Sequence, residues 1–177
     1  MNSRLQKIEP DNASASQQEV IAKLSEARGR IPTPFNIWLH NPNLAKGMEI
    51  IGTHIDSSPV LDEVESEVAI LSTAVFWNAP YVIANHRRHA IEAGVPETVV
   101  EAILSRQCLA TGDDRLGLIC QAVWDLLGGG EISDQRFARY AAELGRAVIA
   151  ELLIVIGYFT SVSLAMTLHA LQPKASG

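Results

Sequence analysis

The sequence predicts an all-α fold, and three observations carry that reading. Apolar residues recur at i, i+3, i+4 and i+7 in one segment after another, and those segments open at Ser, Asp or Pro and close at Gly. No stretch shows sustained period-two alternation bounded by turn residues. With 177 residues, 47% of them hydrophobic, the chain has material for one compact core. It reads as a single domain over 1–177, with residues 1–12 polar and flexible.

Taken in order, Ser14 or Ser16 caps a first helix whose Val20, Ile21, Leu24 and Ala27 share a face and which stops at Gly29. Ile31-Pro32-Thr33-Pro34 then holds the chain extended, and Phe35, Ile37, Trp38 and Leu39 form an apolar cluster placed to lid or line a pocket. After a break at Asn41-Pro42-Asn43, a second helix covers 44–55 with Leu44, Met48 and Ile51 on its stripe, and Ser57-Ser58-Pro59 stops it. Asp62 opens the third, where Val64, Val68, Leu71 and Val75 repeat at helical spacing up to Trp77. Asn78-Ala79-Pro80 breaks and restarts the chain. Proline suits the first position of a helix, so Pro80 begins a segment running to Ala93 with Gly94 as its stop, and a tight helical hairpin results.

A short helix follows Pro96 and reaches Arg106. The next, after Gly112-Asp113-Asp114, sets Leu116, Ile119, Cys120, Val123 and Leu127 at helical spacing and ends at Gly128-Gly129-Gly130. Ser133 caps another, with Phe137 and Tyr140 turned inward, and a long apolar helix from Ala147 to Leu171 closes the chain. Within it, Val148 to Leu168 is long enough to cross a bilayer, but Glu151, Gly157, Thr160, Ser161, Ser163 and Thr167 interrupt it. A buried core or interface helix accounts for the same pattern, so no membrane is expected.

Charge and composition exclude several functions. Fourteen basic residues against 20 acidic ones give a net charge of −6, and the few Lys and Arg are scattered, which argues against a nucleic-acid partner. Cys108 and Cys120 fall in helical segments without a C-x-x-C or histidine neighbours at ligand spacing, so neither a disulfide scaffold nor a zinc site is supported. No secretory signal opens the chain, and a reducing cytoplasm suits it. Walker, G-x-G-x-x-G, G-x-S-x-G and H-E-x-x-H motifs are all missing, and the search for chemistry falls to isolated groups.

Two of these stand out. Glu67 lies on the apolar stripe of its helix, where a carboxylate is excluded unless paired or functional; the bland alternative is a rim residue reaching water, as Glu63 or Glu65 would. His86 sits one turn from Val82 and Ile83 and faces the same interior, although a lone inward histidine is usually structural. The hairpin could bring both toward one pocket, where a carboxylate would fix the tautomer of the imidazole and raise its basicity, as a general base requires. His86 and His89 are also i, i+3, with Glu92 a further three residues on, but Arg87 and Arg88 beside them oppose a cation and no metal is expected. His40, His54 and His169 read as packing or surface residues.

The segment from Glu67 to Gly94, EVAILSTAVFWNAPYVIANHRRHAIEAG, followed by VPETVVEAI, resembles the carboxymuconolactone decarboxylase family and its AhpD-like alkylhydroperoxidase relatives. The shared features are the E-x-A-I-L start, the Y-x-x-A-x-H centre and the E-A-G close, supplied by Tyr81, Ala84, His86, Glu92, Ala93 and Gly94 within a motif core at 61–106. Weaker similarity extends to Arg30-Ile31-Pro32-Thr33-Pro34-Phe35 and to Val155-Ile156-Gly157-Tyr158-Phe159-Thr160. The resemblance implies an AhpD-like helical bundle built around the hairpin, assembled as a homo-trimer or homo-hexamer.

It also implies an activity. In the peroxidase branch a C-x-x-C precedes the histidine; here Ala79 and Val82 stand at the cysteine positions, and thiol peroxide chemistry needs both an attacking and a resolving thiol. An AhpD-like hydroperoxidase is therefore disfavoured. What the resemblance leaves is the decarboxylase branch: decarboxylation or isomerisation of a small unsaturated lactone or carboxylic acid, without metal or organic cofactor. In that reading His86 moves the proton and Glu67 orients it. Tyr81, Phe35, Trp38 and His89 wall the pocket, and Arg88 or Arg87 pairs with a substrate carboxylate. The chain is longer than the compact decarboxylases, which leaves the substrate open. A non-catalytic oligomeric small-molecule-binding protein is the remaining alternative.

Overall fold

A computed structural model describes residues 4–107 and 115–173. Among these residues there is no strand. Nine α-helices are described: α1 (Ala15–Arg28), α2 (Phe35–Trp38), α3 (Pro42–Asp56), α4 (Glu63–Phe76), α5 (Pro80–Ala93), α6 (Glu97–Leu104), α7 (Arg115–Leu127), α8 (Asp134–Glu143) and α9 (Arg146–Leu168). A 3-10 turn at Pro10–Asn12 precedes them. The expected Cys108 and Gly112-Asp113-Asp114 lie outside the described residues.

α4 is the axis of the bundle. Every residue from Glu65 to Val75 is buried, because α5, α7 and α9 pack around it. Asp62 opens α4 as expected, and it does so through a capping box: its carboxylate accepts from the Glu65 amide while Glu65 accepts from the Asp62 amide. α5 then folds back through Trp77-Asn78-Ala79. Asn78 takes a left-handed conformation (φ 49), which asparagine tolerates better than most residues, and Arg106 donates to its side chain and to the Val75 carbonyl. Pro80 occupies the first turn of α5, and Gly94 at φ 97 ends it.

The outer helices follow similar local rules. Ser14 and Gln17 form a capping box on α1, and Gly29 terminates it at φ 66. Asn41-Pro42, expected as a break, is instead the start of α3: the Asn41 side chain accepts from the Leu44 amide and Pro42 fills the first turn. That shift changes the buried face, which consists of Ala45, Gly52 and Ile55, while Leu44 and Ile51 are exposed. Phe137 likewise differs from expectation. Only Tyr140 of α8 is buried, and Phe137 lies outside under the Arg146 guanidinium.

The polar interruptions of α9 have structural partners. Glu151 accepts from His54 Nε2 at 2.9 Å, from the Ser58 hydroxyl and from the Leu61 amide, fastening the turn between α3 and α4. Thr160 accepts from the Trp77 indole at 2.9 Å. At the N-terminus, expected to be flexible, Arg4 donates its amide to the His169 carbonyl at 3.0 Å, and Ile8 packs on the core.

Candidate functional site

The hairpin places Glu67 and His86 face to face. Glu67 sits on the second turn of α4, among residues wholly inside the bundle, and His86 on the second turn of α5. His86 Nδ1 lies 2.9 Å from Glu67 Oε2, with both side chains largely shielded. A carboxylate only accepts, so Nδ1 carries the hydrogen and Nε2 is the free nitrogen of the ring. The imidazole is held edge-on between the Phe159 ring (centroids 5.0 Å) and the His89 ring (5.2 Å). Together these contacts leave the ring one orientation and one tautomer.

Both residues line a cleft of about 290 Å³. Its apolar walls include Phe35, Ile55, Ile70, Val82, Phe159 and Val162. Tyr81, one turn before Asn85 on α5, shares a 2.8 Å hydrogen bond with the Thr33 hydroxyl, which ties the segment before α2 to the hairpin. Phe35 is fully buried in the wall. Trp38 stands behind it, edge-on to Phe35 at 5.0 Å and to Tyr158 at 5.6 Å, and does not line the cleft. Of the two roles the sequence left open for this cluster, lid or lining, Phe35 takes the second and Trp38 backs it.

The arginines divide. Arg87 points away and pairs with Glu101 at 2.8 Å, whereas Arg88 lines the cleft and is held by Glu92 at 2.9 Å. Arg88 also donates to His89 Nε2 at 2.9 Å, so that nitrogen is an acceptor. Burial, followed by the neighbouring His86, pushes the His89 pKa below its ordinary value and keeps this ring neutral. Glu67, His86 and His89 offer ligand atoms within 4.8 Å of one another, a spacing from which an ion could be held. In this arrangement, however, His86 Nδ1 is engaged by Glu67, and the Arg88 guanidinium occupies the position beside His89 that a cation would need. Glu92, the third residue of the sequence spacing, is drawn off to Arg88.

The polar lining also includes Arg28, Arg30, Asp56, Asn85 and Tyr158, which were not singled out as site residues from the sequence. Burial works against the charge of Arg28, but Asp56 and Glu49 outweigh it and hold its pKa above the usual range. Tyr158 is packed against α3 at Gly52, where a β-carbon would stand 2.8 Å from its hydroxyl. Burial raises the phenol well above its ordinary pKa, with Arg28 opposing and Asp56 and Glu49 adding. The available signal for Arg30 and Tyr158 was their place in the two outlying segments that carry the resemblance.

At the positions where cysteines would stand, Ala79 and Val82 are both buried, and only Val82 lines the cleft. Cys120 is a buried thiol on α7 and does not line it. A wider depression of about 510 Å³, between α7 and α8, is lined by polar residues, of which Arg136 and Tyr140 are paired with Asp125 and Arg139 with Glu143. Among the described residues the smaller cleft is the candidate site, because it joins an apolar wall to an acid–base pair.

No family model matches the chain, and no curated protein matches it in sequence. Solved structures do match it. An uncharacterized peroxidase-related protein from Silicibacter sp. TM1040 superposes with a TM-score of 0.74 at 15% identity, covering 98% of this chain and 92% of that one. This is the AhpD-like helical fold. The debrominase Bmp8, in a cysteine-to-alanine variant bound to 2,3,4-tribromopyrrole, superposes with a TM-score of 0.73 at 16% identity, covering 99% of this chain and 94% of that one. The apo debrominase gives the same score at 15% identity. At these identities the likeness is one of fold, and the AhpD-like bundle holds over nearly the whole chain.

Proposed function

We propose that this chain is a cofactor-independent acid–base enzyme similar to carboxymuconolactone decarboxylase, acting on a small unsaturated lactone or carboxylic acid. The single observation that carries the proposal is the 2.9 Å His86–Glu67 hydrogen bond inside a cleft walled by apolar side chains. His86 Nε2 takes the proton from a carbon next to a carbonyl, and the electron pair of the broken C–H bond moves into the conjugated system. The imidazolium, steadied by the Glu67 carboxylate, returns that proton to a carbon further along, giving an isomer. In the decarboxylating variant His86 Nε2 first takes up a proton from solvent; the C–C bond to the carboxylate breaks, its electrons enter the same conjugated system, carbon dioxide leaves and imidazolium Nε2–H protonates the carbon. An apolar cleft favours this step by withdrawing water from the carboxylate.

A protein of the same fold that holds 2,3,4-tribromopyrrole supports a small planar ring as the ligand class. Among the described residues thiol peroxidase chemistry has no support in the cleft, since Ala79 and Val82 offer no nucleophile and Cys120 is buried outside it. We further propose that the chain works as a homo-trimer or homo-hexamer. The test of activity is loss of ultraviolet absorbance across a panel of unsaturated lactones and acids. His86→Ala is expected to lower the rate by about 10²- to 10⁴-fold. Equal rates in wild type and variant would overturn the proposal, and reductant-dependent peroxide loss that vanishes in a Cys108→Ala/Cys120→Ala variant would replace it with the hydroperoxidase.

A further inference from the structure

The polar groups lining the cleft divide sharply by whether the protein already satisfies them. Arg28 is bound by Glu49 at 3.1 Å and by Asp56 at 2.6 Å. Arg88 is bound by Glu92, Thr33 by Tyr81, and Glu67 by His86. Among the described residues, the Arg30 guanidinium, the Tyr158 hydroxyl and the Asn85 amide have no such partner, and all three line the cleft; of these Arg30 alone is charged. Arg30 is placed there by Gly29, whose left-handed conformation ends α1 and turns the chain along the rim. Arg28 is held by two carboxylates and Arg88 by Glu92, so among the described residues Arg30 is the lining cation without a carboxylate partner and the one free to pair with an anion.

Tyr158 is held as a rigid donor. Its ring is fixed edge-on by Trp38 and Phe159, and its hydroxyl rests against the backbone of α3 because residue 52 is a glycine. The lining runs continuously from the His86 ring across Phe159 to Tyr158, which places donor and imidazole on one wall. A neutral phenol that stays protonated donates a hydrogen bond to a carbonyl oxygen, and donates more strongly as charge develops on that oxygen. The neighbouring depression shares Asp56, Glu67 and His89 with the cleft and adds Glu63 and Glu92, which makes it the more acidic of the two. Within the cleft Asp56 is tied to Arg28, so a carboxylate is directed to Arg30.

We propose that Arg30 and Tyr158 form the recognition pole of the cleft for a planar, unsaturated carboxylate, Arg30 pairing with the carboxylate and Tyr158 donating to an oxygen of the ligand. This rests on the acid–base reading of the same cleft and names its substrate class and two residues that contact it. The test uses benzoate and its neutral isostere benzamide as probes, with affinities measured by calorimetry on the full chain. Wild type is expected to bind benzoate about tenfold or more tighter than benzamide, the scale of one charge-assisted contact. Arg30→Gln is expected to erase that preference, and Tyr158→Phe to weaken both probes about threefold to tenfold. Arg87→Gln, on a side chain that faces away, is expected to change neither.

Arg30 is exposed and free of partners, so its substitution leaves the fold intact, and a thermal melt of each variant confirms this. Equal binding of the two probes by wild type, or unchanged benzoate preference in Arg30→Gln, overturns the inference. The acid–base reading is scored separately by turnover in His86→Ala. Loss of the benzoate preference in Arg30→Gln together with full turnover in His86→Ala would leave the pole standing and remove the acid–base reading alone.

Discussion

At the scale of the residue, the decisive contact is one hydrogen bond whose charge and geometry can be separated. Glu67→Gln keeps an acceptor for His86 Nδ1–H but removes the negative charge, whereas Glu67→Leu removes both. We expect Glu67→Gln to fold and to lower kcat at least about tenfold, because the imidazolium formed in turnover loses its counter-ion. A purely structural glutamate would lower the melting temperature and leave kcat per folded molecule unchanged. The second residue-scale prediction concerns His89, whose pKa is pushed below the ordinary 6.5 chiefly by burial. The unfolded chain then takes up this proton more readily than the folded one. The corresponding stability is present above pH 6.5 and is lost as the pH falls from there toward the lowered folded value. His89→Gln should therefore melt with a flatter pH profile than wild type between pH 7 and 5, and parallel profiles would refute it. Glu67 was legible in the sequence because a carboxylate on an apolar stripe breaks the helical pattern. Arg30 was not, since an arginine beside a glycine looks solvated until the other cations of the cleft are seen to be paired.

At the scale of the element, legibility followed local chemistry. Pro80 and Gly94 bound α5 as read, and Asp62 and Ser14 cap their helices as read, because a cap is decided by a few adjacent residues. The stripe of α3 was misjudged because Asn41-Pro42 starts a helix as readily as it breaks one, and the buried face is then set by α9 and α1 rather than by the apolar content of α3 itself. Gly52 shows the same dependence on distant partners. It is buried where α3 meets Tyr158 and Arg28, and a β-carbon would lie 2.8 Å from the phenol oxygen and 3.2 Å from an Arg28 nitrogen. Both are ends of side chains, so Gly52→Ala is expected to fold while pushing the Tyr158 hydroxyl from its place. Helical alanine offsets part of the strain, leaving a melting temperature within a few degrees of wild type. The distinguishing result is weakened benzoate binding in Gly52→Ala without a matching loss of stability; unchanged binding would show that Tyr158 needs no such support.

At the scale of the whole molecule, α9 carries two roles on opposite faces. Its inward face, with Leu152, Val155, Phe159, Val162 and Met166 buried, completes the core and supplies the cleft with Phe159 and Val162. This helix is long and apolar enough to cross a bilayer, yet its packing against α4, α3 and α5 makes it a structural member of the bundle. Its outward face is also apolar. Leu153, Gly157, Leu164 and Leu168 succeed one another at helical spacing, with Leu168 67% exposed, and Ile50 of the adjoining α3 is 72% exposed. Burying each such side chain is worth about 1.5–3 kcal/mol, so a face of this kind favours contact with a second copy over contact with water. Sedimentation velocity is expected to show a species of three or six chains of 19.2 kDa each. Leu164→Glu combined with Leu168→Glu should shift it to a smaller species with an unchanged helical spectrum, since both positions face outward and the inner stripe is untouched. A wild-type monomer at micromolar concentration would refute the assembly. Because Tyr158 and Phe159 belong to the same helix turn as the outward Gly157, loss of the contact is also expected to loosen the cleft wall, raising KM more than it lowers kcat.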